Sequence, residues 1–119
     1  MYYMDLPFKK KNSFEKRKKE ASSVLEKYPD RIPIIVQKHN TCELPDIDKS
    51  KYLVPKDMNM SQFSFIIRKR IKLDPSQAIF ITIGHSLAAS NKTLAELYND
   101  NKDEDGFLYM VYTNENTFG

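Results

Sequence analysis

Cysteine, glycine and long apolar runs are scarce in this chain, and each shortage removes a class of function. A single cysteine, Cys42, among 119 residues excludes an internal disulfide framework and implies no oxidising compartment. The glycines are only Gly84, Gly106 and Gly119, too scattered for a phosphate-cradling loop. Cys42, His39 and His85 lack metal-ligand spacing, so no metal and no cofactor is expected. A nucleophile pairing of Cys42 with His39 or His85 would be chemically reasonable. Its loop is turn-rich, however, and carries no recognisable signature, so no catalytic residue is expected. Ile32 to Val36 and Phe65 to Ile67 are too short to span a bilayer. Met1-Tyr2-Tyr3-Met4-Asp5-Leu6 holds no apolar run of signal-peptide length. A membrane role would therefore be peripheral or added after translation.

What is present is a polar surface over an adequate core. A hydrophobic share of 40% and a charged share of 29% suit one compact domain. The net charge of +3 hides an asymmetry. Lys9, Lys10, Lys11, Lys16, Arg17, Lys18 and Lys19 crowd the start, whereas Asp100, Asp103, Glu104, Asp105 and Glu115 crowd the end. Most of these charges are simply a solvated face. Read functionally, the basic arm would meet an acidic partner or an anionic lipid surface. Only Phe8 and Phe14 could stack bases there, so no nucleic acid is expected.

Ser13 predicts a helix cap, with a helix to about Lys27 and Phe14, Arg17, Ala21, Val24, Leu25 and Tyr28 along one side. Pro29 disfavours its continuation. Arg31 to Lys38 is β-branched and reads as a strand, in which Pro33 predicts an edge position or a bond-free side. Asn40 to Asp48 is a loop, and Lys51 to Pro55 a short second strand. Asn59 and Gln62 form a capping-box-like pair ahead of Phe63, Ile66, Ile67, Arg70 and Ile71 at helical spacing. Ala78 to Ile83 alternates as a strand into Gly84. Thr93 and Glu96 form a capping box for a helix over 94–101. Asp105-Gly106 turns the chain into a final strand, Phe107 to Tyr112.

Several separated segments carry a family resemblance. Phe14-Glu15-Lys16-Arg17, KYPDRIPIIV at 27–36, DKSKYLVP at 48–55, QFSFIIRKRIKL at 62–73 and DEDGFLYMVY at 103–112 occur in order, and the chain ends Phe118-Gly119. Over residues 13–119 the chain resembles the autophagy ubiquitin-like modifiers. That family includes autophagy-related protein eight, the GABA-receptor-associated protein and microtubule-associated protein light chain three. Local departures are Gly84-His85 in place of two asparagines, Ala88-Ala89 in place of two prolines, and Ser50 in place of a lysine.

The resemblance implies an α+β ubiquitin-like β-grasp with a four-stranded mixed sheet and an N-terminal helical extension. Residues 1–12 are expected to be a variable basic extension. Residues 13–119 would form the domain, and 113–119 a conjugation tail. It also implies covalent attachment through Gly119 to phosphatidylethanolamine, with Phe118 recognised during processing. A terminal glycine suits this role, because a carboxylate without a side chain enters a narrow enzyme channel. Implied partners are ubiquitin-like activating and carrier enzymes, a deconjugating cysteine protease, and adaptors bearing aromatic-x-x-aliphatic motifs. The chain would be a monomer until conjugated, cytoplasmic, and bound to autophagosomal or related membranes once lipidated. Protein conjugation, or an unconjugated receptor- or tubulin-binding module, are the alternative readings.

By the resemblance, an aromatic pocket would be formed by Glu20, Val24, Pro33, Ile35, Lys51, Leu53 and Phe107. An aliphatic pocket would be formed by Tyr52, Val54, Pro55, Met58, Phe63, Ile66, Ile67 and Arg70, with Lys49 as an electrostatic rim. Ile35, Phe63, Ile66 and Ile67 lie on faces that any fold would bury, so core packing is the plainer role for them. Tyr52, Lys51, Leu53, Lys49 and Arg70 are the better candidates. Leu53 and Val54, adjacent on a strand, face opposite sides and cannot both be core. A short strand at a sheet edge would present the unpaired backbone that an added strand needs.

Overall fold

The computed structural model describes residues 6–115. Phe118 and Gly119 lie outside the described residues. Helix α1 (Pro7–Lys11) is followed by α2 (Phe14–Lys27), whose first turn is capped by Ser13 Oγ accepting from the Lys16 N–H. Strands β1 (Arg31–Lys38) and β2 (Lys51–Pro55) pair antiparallel, then α3 (Met60–Arg70) crosses back over the sheet. Strands β3 (Phe80–Ile83) and β4 (Ser86–Leu87), helix α4 (Leu94–Asn101) and strand β5 (Leu108–Thr113) complete the chain. Both expected capping boxes form: Asn59 with Gln62 opens α3, and Thr93 with Glu96 opens α4.

The sheet order is β2-β1-β5-β3-β4, with β1 and β5 parallel at its centre. The fold is the expected ubiquitin-like one, with five strands rather than four. The extra strand is two exposed residues long, too short for alternation to reveal. It forms because Gly84, at φ +64°, turns the chain back so that Ile83 pairs with Ser86.

Alternation divides the core into two layers. Ile34, Val36, Leu108, Met110 and Tyr112 face α3 and α4, packing on Phe63, Ile67 and Leu94. Ile35, Tyr109 and Val111 face the other way, onto Leu6, Phe8, Ala21 and Phe107. A sheet covered on both faces needs central strands that are apolar throughout, which is why 32–36 and 107–112 read as unbroken runs. Gly106, at φ +97°, closes the approach of β5 to α2; a Cβ there would stand 2.9 Å from the Ala21 Cβ.

Pro33 corrects one expectation and meets its alternative. β1 lies inside the sheet, not at its edge. The Val36 N–H donates to Ser50 O at 2.8 Å, so even-numbered residues of β1 turn their donors toward β2. Pro33 therefore points its missing donor toward β5, one residue before the first β1–β5 pair, Ile34 with Leu108.

A groove beside the outer edge of strand β2

The same register decides what β2 offers to solvent. Ile34 and Ile32 pair with Tyr52 and Val54, so the backbone groups of Lys51 and Leu53 face outward from the sheet edge. Arg31 Nη1 donates to Leu53 O at 3.3 Å, covering one of these acceptors. Side chains alternate the other way: Val54 enters the α3 core, whereas Leu53 stays half-buried on the α2 side.

That side holds a cavity of about 240 Å³ lined by Glu20, Val24, Pro33, Lys49, Lys51, Tyr52, Leu53 and Phe107. Its wall is apolar where α2 meets the sheet, and its mouth is charged. Lys51 Nζ lies 2.9 Å from Glu20 Oε2 and 5.3 Å from the centre of the Phe8 ring. Lys49 Nζ lies 5.2 Å from the centre of the Tyr52 ring. Both cations are exposed, so their ion pairs and ring contacts contribute little to folding. They remain available to an arriving anion.

The expected aromatic pocket is thus brought together at Glu20, Val24, Pro33, Lys51, Leu53 and Phe107, whereas Ile35 is fully buried and does not line the cavity. The expected aliphatic set divides. Val54, Phe63 and Ile67 are core, Met58 and Ile66 are half-buried, and Pro55 and Arg70 are exposed. Tyr52 stands between the two sets. It rims the first cavity, yet its ring is buried edge-on against Phe63 at 5.5 Å. Burial raises its pKa above the usual phenol value, with Asp48 reinforcing and Arg70 opposing the shift. Arg70 Nε is itself 3.1 Å from Asp48 Oδ1. Sequence reasoning missed Arg31 and Phe8 as neighbours of the groove. Each reaches it from another element, and no local pattern reports that.

Cys42 is buried, and its Sγ accepts from the Leu44 N–H at 3.4 Å. Among the described residues no three His, Cys, Asp or Glu side chains are grouped to hold a metal, and no helix is long and apolar enough to cross a membrane.

The family model for "Autophagy protein Atg8 ubiquitin like" matches residues 16–119. The chain belongs to the Atg8 family. Its role accordingly lies in autophagy. It is 55% identical to autophagy-related protein 8e of Arabidopsis thaliana over 112 residues, covering 94% of this chain and 92% of the relative. Autophagy-related protein 8 of Mycosarcoma maydis is 54% identical over 112 residues, covering 94% of this chain and 95% of the relative. The crystal structure of Trypanosoma brucei ATG8 superposes with a TM-score of 0.88 at 40% identity, covering 97% of this chain and 99% of that one. A Plasmodium falciparum Atg8, solved in complex with a Plasmodium falciparum Atg3 peptide, superposes at 0.86 with 34% identity, covering 92% of this Atg8 chain and 97% of that one.

Proposed function

We propose that this Atg8-family chain is a modifier joined through Gly119 to phosphatidylethanolamine, and that the β2 edge docks extended peptides with an aromatic-x-x-aliphatic core. The observation that carries the docking half is the apolar cavity abutting the outward backbone of Lys51 and Leu53. A peptide strand added there would pair with those groups, displace Arg31 from Leu53 O, and place its aromatic residue among Val24, Pro33 and Phe107. Lys49 and Lys51 would attract acidic flanks. Met58, Ile66 and Pro55 would receive the aliphatic residue. The Atg3 peptide carried by the Plasmodium falciparum relative supports peptide docking on this fold.

For conjugation, an activating enzyme would adenylate the Gly119 carboxylate with ATP and exchange the adenylate for a thioester. A carrier's cysteine would accept the acyl group, and the lipid amine would attack it with release of the thiol. The catalytic cysteines, including that of a deconjugating protease, belong to the partners, so the chain itself is no enzyme. Two acyl chains, at about 0.8 kcal/mol per buried methylene, give stable anchoring where one gives marginal anchoring. The chain would thus be cytoplasmic when free and held on autophagosomal or related membranes when lipidated.

Incubation with cognate activating and carrier enzymes, ATP and phosphatidylethanolamine liposomes should yield a lipidated band that Gly119→Ala reduces or abolishes. Unchanged conjugation of a chain lacking Gly119 would sink this half. For docking, an acidic aromatic-x-x-aliphatic peptide should bind in the micromolar range, about -7 to -9 kcal/mol. Leu53→Ala should weaken it roughly tenfold or more without loss of fold. Tyr52→Ala is a poorer probe, because Tyr52 also packs on Phe63. Full affinity in Leu53→Ala, or amide shifts away from Lys49–Pro55, would show that the groove is not the site.

A further inference from the structure

Neither core layer nor the β2 groove uses the outer face of α3. The helix turns Met60, Phe63 and Ile67 inward and leaves Phe65 58% exposed on the other side. A lone exposed phenylalanine means little, but this one borders a concavity of about 410 Å³ lined by Phe65, Arg68, Lys69, Lys72, Leu73 and Pro75. Lys69 Nζ lies 4.7 Å from the centre of the Phe65 ring. Lys72, exposed at φ +54°, ends the helix by donating its N–H to Lys69 O. Arg68 Nη2 donates to Gln77 O at 2.9 Å, fastening the 71–79 connection to the last turn. Asp74 is the acidic neighbour, and its Oδ1 is engaged by the Ser76 N–H and hydroxyl. An aromatic ring and a half-buried leucine are therefore framed by Arg68, Lys69 and Lys72.

The position of this patch matters as much as its chemistry. Phe80 pairs with Thr113, so the start of β3 and the end of β5 share one end of the sheet, and the 71–79 connection brings the last turn of α3 to that end. Thr113 and Gly119 are six positions apart, a reach of at most about 20 Å. A chain held by lipid at Gly119 would keep this end, and hence this patch, beside the bilayer.

We infer that the Phe65–Lys69–Lys72 face is a contact surface for an anionic phospholipid bilayer. The inference rests on the lipid-conjugation reading above. Phe65 enters the boundary between headgroups and acyl chains, while Lys69 and Lys72 meet the anionic headgroups. The ring distinguishes this from attraction to a soluble polyanion, which needs charge alone. The contact is weak by itself and acts when tethering makes it intramolecular. It would hold the molecule in one orientation on the membrane.

The chain contains no tryptophan, so Phe65→Trp supplies a single reporter. This variant, extended by a C-terminal hexahistidine, is held on nickel-chelating vesicles of phosphatidylcholine with or without phosphatidylserine. On the anionic vesicles its emission should shift to the blue and be quenched by brominated lipid. Without the tether, Lys69→Ala/Lys72→Ala should lower partitioning onto those vesicles by about twenty-five-fold, near fivefold per lysine. These residues are exposed, so thermal unfolding should not move. Unchanged emission on anionic vesicles would overturn the inference. So would an equal shift that survives loss of both lysines, or the same shift with an oligonucleotide or acidic peptide in place of vesicles. The chelating tether bypasses the conjugating enzymes. A failed conjugation assay with a positive reporter therefore sinks the lipid-modifier reading alone, and the reverse pattern sinks this contact alone.

Discussion

Asp105 decides where the N-terminal helices sit. It is 1% exposed; its Oδ2 accepts from Arg17 Nη1 and from the Tyr109 hydroxyl, each at 2.6 Å, and its Oδ1 from the Phe107 N–H at 2.8 Å. Burial alone would lower the Arg17 pKa, yet hydrogen bonding to Asp105 raises it. Removing one partner of such a pair strands the other charge. Asp105→Ala is therefore expected to cost about 3–5 kcal/mol in urea unfolding, and Tyr109→Phe only about 1 kcal/mol, for one hydrogen bond. A loss below about 1 kcal/mol for Asp105→Ala would show that the pair does not hold the helices. Helical periodicity puts Arg17 on the apolar side of its helix but gives no reason for a cation there. Its partner lies 88 positions away, beyond the reach of any periodicity. Leu53 was legible for the opposite reason, since alternation with Val54 is local.

At the scale of elements, legibility follows length and capping. α2, α3 and α4 announce themselves through Ser13, Asn59 and Thr93, each a side-chain cap on a helix of eight residues or more. α1 has five residues, PFKKK, with no side-chain cap, and no helix that short is stable alone. Tertiary contacts hold it: Leu6 and Phe8 are buried, Phe8 packs edge-on against Phe107 at 5.4 Å, and Lys9 Nζ lies 2.6 Å from Asp103 Oδ1. Phe8→Ala should cost about 3 kcal/mol and speed amide exchange at Lys10 and Asn12, whose N–H groups donate to Leu6 O and Phe8 O. Exchange in β1 should stay slow. Burial pushes the Asp103 carboxyl up, but the hydrogen bond from Lys9, helped by the Asp105 N–H, holds it below the usual carboxylate range. A depressed folded pKa gives stability that is present above the unfolded value near 3.9 and lost as pH falls through the folded one. Acidification below about pH 4 should therefore loosen α1, and Lys9→Met should flatten that dependence. Equal exchange in both chains across this range would show that the ion pair does not fasten α1.

For the molecule as a whole, covering both faces of one sheet leaves phenols with no access to water. Tyr112 is fully buried and donates to Pro45 O at 2.8 Å; Tyr98 donates to Gly106 O at 2.7 Å, and Tyr109 to Asp105. Burial is the leading cause that raises all three, and Tyr52 with them; Tyr112 is pushed up to about 12. The sign follows directly. A raised folded pKa gives stability that is complete below the unfolded value near 10 and is lost as pH climbs toward the folded value. Above pH 10 the unfolded chain sheds protons that the folded chain retains. Each phenol that stays protonated in the folded chain then removes about 1.4 kcal/mol per pH unit, so Tyr109 and Tyr112, the two raised furthest, together remove roughly 3. Against a stability of about 5–15 kcal/mol, that loss should unfold the domain cooperatively well above pH 10. Ultraviolet phenolate absorbance followed alongside far-ultraviolet circular dichroism tests this. The absorbance of the buried tyrosines should rise in step with loss of the sheet signal. Complete phenolate formation near pH 10 with the dichroism intact would mean that water reaches both layers, and that the sheet is not sealed on its two faces.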